Sequence, residues 1–221
     1  MASPRSSNNE DNKGNVFIGT SGHVPGDAPE LYWITEFWAN LDKREIYICG
    51  EIDADFGNQF LITFNYLLHK SHDPITIWLS TIGGDVEAAF MFYDLITNSP
   101  APVTIIGTGG VASSGVLMLA CGHKVLVTEN CTMMNHESTF SGEVALRHSE
   151  AKDRRKWEDW IGERFITLIG RCTSKRKPEK NDAYWRKITN NKAEYWILGA
   201  DAIVADGLAD AILTTETFRG K

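Results

Sequence analysis

Twice in succession this chain passes from β-forming residues, through paired glycines, into a helical pattern. The two stretches are "ITIWLSTIGGDVEAAF", from Ile75, and "PVTIIGTGGVASSGVLMLA", from Pro102. Strands that run straight into helices imply a parallel sheet, because a parallel neighbour is reached only by a crossover. The pattern starts earlier: "EIYICG" (Glu45 to Gly50) reads as a buried strand, and Phe60, Leu61, Phe64, Leu67 and Leu68 mark the inward face of a helix. After Gly83-Gly84, Asp85 is placed to cap a helix that turns Val86, Ala89, Phe90, Tyr93 and Ile96 inward. "KVLVT" and "CTMM" read as further short strands. A helix over "YWRKIT", a compact helix in "GADAIVADG" and a strand-like "ADAILTT" close the chain. The expectation is one α/β domain over residues 23–221, behind a polar tail over 1–22.

A long helix is expected from about Glu143 to Gly170. Its first half is almost wholly polar, whereas Trp157, Trp160, Ile161, Phe165 and Leu168 recur at helical spacing in its second. A helix of this kind need not pack along its whole length on its own domain.

Composition narrows the function. The formal net charge of −7 disfavours nucleic acid or an anionic membrane surface as a partner, and no apolar run approaches the ~20 residues that span a bilayer. Cys49, Cys121, Cys131 and Cys172 are scattered, which suits free thiols in a cytoplasmic setting better than disulfides or a metal site. No cofactor is expected.

The chemistry gathers in "GTGGVASSGVLMLACG", Gly107 to Gly122, where adjacent serines stand between a glycine-rich turn and a buried helix. A serine at a strand-to-helix turn is exposed at the strand's carboxyl end, beside N–H groups at a helix start that favour negative charge. Acyl transfer needs both a nucleophile and an oxyanion donor. The blander account is a turn whose serines merely cap the helix. The second glycine turn, "LSTIGGDVEAA", would lie beside the first if the two strands are neighbours, so that Gly84 and Ser114 N–H groups could converge on one oxygen. A phosphate-cradling loop is rejected because the GK[ST] ending is missing. Of six histidines, His136 follows the apolar "CTMMN" at a strand's end, a position that aims an imidazole into a cleft.

The segments "TIWLSTIGGDVEAAFMFYDLI", "GTGGVASSGVLMLACG", "MMNHE" and "GADAIVADGLADAIL" occur in the order and approximate spacing of the Clp protease proteolytic subunit, which the chain resembles from roughly Glu45 to Thr215. The resemblance implies a crotonase/ClpP-like α/β fold and serine peptidase chemistry on polypeptide substrates. It makes Ser113 the nucleophile, His136 the base, and Gly84 and Ser114 the oxyanion donors. By the same resemblance the acid falls on Glu194, where the family has an aspartate; Asp182 and Asn190 are poorer substitutes. The resemblance further implies stacked rings that interdigitate through the long helix, and an ATP-driven unfoldase as partner. Ile82 and Ser80 depart from the family's Pro and Asn, and the amino terminus matches it poorly. Two rival functions are an acyl-CoA enzyme on the related crotonase-like fold and a non-catalytic ring subunit. Trp78, Phe90, Phe92 and Tyr93 fit core packing better than a docking pocket.

Overall fold

The computed structural model describes residues 38–136 and 148–219. The tail over 1–22 and residues 143–147 of the expected long helix lie outside them.

The parallel sheet expected from the glycine-punctuated runs is present. Strands β1 (Ala39–Asn40), β2 (Glu45–Ile52), β3 (Ile75–Gly84), β4 (Val103–Ala112), β5 (Lys124–Val127) and β8 (Ala211–Ile212) lie side by side in the order β1-β2-β3-β4-β5-β8. All pair in parallel except β1, which is antiparallel to β2. β4 divides its length: Thr104 to Gly107 pair with β5, while Gly110 to Ala112 pair with β6 (Thr132–His136). β7 (Glu194–Leu198) then adds to β6 in antiparallel register.

Helices α1 (Ala54–Lys70), α2 (Val86–Thr97) and α3 (Ser114–Ala120) follow β2, β3 and β4. Asp53 and Asp85 start the first two, each carboxylate accepting from the backbone N–H three residues on. α3 is buried along its whole length, which suits its unbroken apolar run. α4 (His148–Ser174), α5 (Asp182–Asn191), α6 (Ala200–Ala205) and α7 (Thr215–Arg219) complete the chain. The core is the inward row of β3 (Ile75, Ile77, Leu79) with Val103 and Ile105 of β4, Phe60 and Phe64 of α1, and Phe92 of α2. Each such side chain contributes about 1.5–3 kcal/mol by leaving water.

Three helix faces differ from expectation. On α1, Leu61 is exposed with Ile62 and Tyr66, and Gly57 and Thr63 take the buried positions beside Phe60, Phe64 and Leu67. On α2, Phe92 is fully buried, whereas Phe90 packs only against the edge of the core, half-buried and edge-on to Trp160. On α4, burial begins at Ile161, so Trp157 and Trp160 are exposed while Phe165 and Leu168 are covered. Helical spacing shows which residues share a side. How far round the core reaches depends on the neighbouring helices.

Candidate active site

β3 and β4 are neighbours, so their two glycine turns meet at the carboxyl end of the sheet. Thr81, itself buried, ties the first turn down: its hydroxyl donates to the Gly50 carbonyl of β2 and accepts the Gly83 N–H. Gly83 (φ +90°) and Gly84 (φ +145°) hold backbone angles that other residues rarely adopt. A side chain at Gly83 would lie 2.5 Å from Ser113 Cβ, and one at Gly84 would run into the Ile52 carbonyl. The turns therefore approach more closely than any larger residue would allow.

Ser113 follows β4 at the start of α3 with φ +55°, ψ −126°, a left-handed conformation that costs a non-glycine residue about 1–3 kcal/mol. Its backbone N–H donates to the Met134 carbonyl of β6 at 2.7 Å. Its side chain makes no capping bond to α3, which removes the bland account of this serine. Instead Ser113 Oγ lies 2.8 Å from His136 Nε2. His136 stands two residues beyond Met134 on β6, so one strand holds the serine's backbone and delivers the imidazole to its hydroxyl. Ser114, the first residue of α3, is buried, and its hydroxyl has no hydrogen-bond partner among the described residues.

Gly84, Ser113, Ser114 and His136 all line one cavity of about 530 Å³. Its far wall comes from α4 through Arg154, Trp157, Ile161 and Phe165, residues for which no local pattern signals that place. Other histidines have different work. His123 Nδ1 accepts the Val103 N–H, and partial burial lowers its pKa. The exposed His69 is bonded to the Asn65 carbonyl. Cys121, Cys131 and Cys172 are buried free thiols, the last two pushed up to about 11 by burial and therefore poor nucleophiles.

Glu194 occupies a strand rather than a loop. It is the first residue of β7 and the direct cross-strand partner of His136. Its carboxylate is exposed and accepts the Trp196 indole N–H at 2.8 Å; it does not line the cavity. Asp182 and Asn190, on α5, do not line it either.

β7 is fastened from its inner face. Tyr195 OH donates to Asp206 Oδ2 at 2.8 Å, while Tyr184 OH and Lys180 Nζ donate to Asp206 Oδ1 at 2.8 and 2.6 Å. Burial and the bond to Asp206 raise both phenols, Tyr184 to about 12. Sequence reading missed this clamp, since its members are separated along the chain and meet only in the fold. β7 itself had a signal in the β-forming run "EYWIL".

A sequence model of the Clp protease family matches residues 29–216. The ATP-dependent Clp protease proteolytic subunit 2 of Pseudomonas aeruginosa is 27% identical, over 80% of this chain and 84% of the relative. The corresponding subunit 2 of Treponema pallidum is 36% identical, over 66% of this chain and 75% of its own length. Among solved structures, a ClpP1 mutant from Listeria monocytogenes superposes with a TM-score of 0.67 at 27% identity, covering 80% of this chain and 95% of that one. With this match over most of its length, and the parallel sheet and paired glycine turns already described, the chain belongs to the Clp protease family.

Proposed function

We propose that this chain is a serine endopeptidase, the proteolytic subunit of a compartmentalised Clp-type protease that cleaves polypeptides. The observation that carries the reading is the 2.8 Å contact between Ser113 Oγ and His136 Nε2 inside the cavity that Gly84 and Ser114 also line. Ser113 gives its proton to His136 as its oxygen attacks a peptide carbonyl. The carbonyl oxygen, becoming an alkoxide, is met by the Gly84 and Ser114 N–H groups. His136 then passes the proton to the leaving amine, and water releases the acyl-enzyme by the same steps in reverse. Glu194 is the acid that steadies the imidazolium.

Assembly into stacked rings suits the long helix α4, whose charged run from Lys152 to Lys156 is largely exposed and accessible to another subunit. An ATP-driven unfoldase is the corresponding partner, and the cytoplasm the corresponding location. Among the described residues no helix is long and apolar enough to cross a membrane. One observation favours a second reading, a non-catalytic ring subunit: the Glu194 carboxylate is bonded to Trp196 and not to His136.

Fluorophosphonate labelling of the assembled protein separates the two. The peptidase reading expects a covalent adduct on Ser113 that Ser113→Ala abolishes, with cleavage of a fluorogenic peptide lost by about 10⁶-fold. An unlabelled, inactive assembled protein would leave the non-catalytic subunit standing. Sedimentation is expected to show an oligomer, and a monomer alone would refute the ring.

A further inference from the structure

His136 and Glu194 are directly opposed at the end of the β6–β7 pairing. Directly opposed residues of an antiparallel pair carry their side chains to the same face, with Cβ atoms about 4.5–5.5 Å apart. From there a glutamate reaches an imidazole by side-chain rotation alone. In this structure it has turned the other way. Trp196, two residues along β7 and so on the same face, donates its indole N–H to Glu194 Oε2 at 2.8 Å.

The strand under this choice is held still. Its inner face is Tyr195, bonded to Asp206 and edge-on to the Trp185 ring at 6.3 Å, and the buried Ile197. Its outer face is Glu194, Trp196 and Leu198, all exposed. With the backbone clamped, two donors contend for one carboxylate: the Trp196 indole and the His136 ring.

We propose that Trp196 is a positioning residue whose indole N–H competes with His136 for the Glu194 carboxylate, and so sets the fraction of molecules in which the Ser113–His136 pair has its acid. This rests on Ser113 being the nucleophile, as proposed above. It also accounts for an acid that stands in register with the histidine yet makes no bond to it. A hydrogen bond to a charged group shifts such an equilibrium by roughly tenfold or more.

The test uses the full-length assembled chain and a fluorogenic peptide, with kcat and KM followed across pH. Trp196→Phe keeps the aromatic surface and removes only the donor; Trp196→Leu replaces it if the first variant does not assemble. The expected result is a kcat at least about tenfold higher at unchanged KM. The acid limb of the kcat profile should also move to higher pH, because a carboxylate on the imidazolium favours the protonated ring. Leu198→Ala, which trims the same face elsewhere, is expected to match the parent. In a Glu194→Gln background, Trp196→Phe is expected to have no effect.

A kcat that stays level or falls in Trp196→Phe, or a rise that persists in the Glu194→Gln background, overturns the proposal. Fluorophosphonate labelling of each variant identifies which reading has failed. An adduct on Ser113 with unaltered kinetics refutes the role of Trp196 and leaves the peptidase intact. Absence of an adduct in every variant removes the nucleophile, and the role of Trp196 with it.

Discussion

The proposed nucleophile and the proposed acid both attach to β6, and they are held in opposite ways. Ser113 is set by backbone: a left-handed φ, an amide bond to Met134, and a glycine turn pressed against its Cβ. Glu194 is set by side chains: an exposed carboxylate on an outer strand whose inner face is clamped through Tyr195 and Asp206. Backbone constraints leave one geometry, whereas an exposed side chain retains a choice of partners. The serine end should therefore break abruptly, and the acid end should be tunable.

Gly83→Ala attacks the rigid end and should have the largest effect. Its new methyl would meet Ser113 Cβ at 2.5 Å from a φ of +90°, so Ser113 and the neighbouring Gly84 N–H must shift. Peptide hydrolysis is expected to fall about 10²–10³-fold, the cost of losing one oxyanion donor, and a thermal melt should show lost stability. Full activity in this variant would mean that the close approach of the two turns is dispensable.

Glu194→Gln probes the tunable end. Removing the acid from a preorganised triad costs ~10⁴ in kcat; here, with the carboxylate bonded to Trp196, the expected loss is only about tenfold. A loss near 10⁴ would show that Glu194 is held as firmly as Ser113, and would erase the contrast between the two ends.

Asp206→Ala leaves Lys180, Tyr184 and Tyr195 without their shared acceptor and is expected to lower stability by about 3 kcal/mol in urea denaturation. The Ser113 adduct should survive, because β4 and β6 hold that end independently. Loss of labelling in a folded Asp206→Ala protein would tie the two ends together.

The smallest effect is alkaline. Tyr184 titrates near 10 when unfolded and at about 12 when folded, so the folded state holds its proton more tightly. That stabilisation is fully present below pH 10 and is lost as pH rises through about 12. Tyr184→Phe should flatten this part of the stability–pH profile without altering peptide hydrolysis at neutral pH.

Much of the fold was legible because it rests on local pattern. Alternating apolar residues marked β3, glycine pairs marked the turns, and Asp85 marked a helix start, each within a few residues of the feature it creates. The pairing of the two glycine turns followed from strand adjacency. Leu61, Trp157 and Trp160 fall outside the core because an apolar side chain at helical spacing has a direction but no guarantee of a neighbour. The choice between Ser113 and Ser114 came from family resemblance, since adjacent hydroxyls look alike in sequence. In the fold, Ser113 bends back to His136 and Ser114 is buried in α3.

The linear order of residues thus settled where strands, turns and helices arise and which stretch carries reactive groups, because those depend on forces acting over one or two turns of chain. Folding alone settled which hydroxyl meets the imidazole, that "EYWIL" pairs with β6 to set Glu194 opposite His136, and that Asp206 gathers Lys180, Tyr184 and Tyr195. Those contacts join residues distant in the chain. They exist only once the core has brought the strands together and water has been excluded from between them.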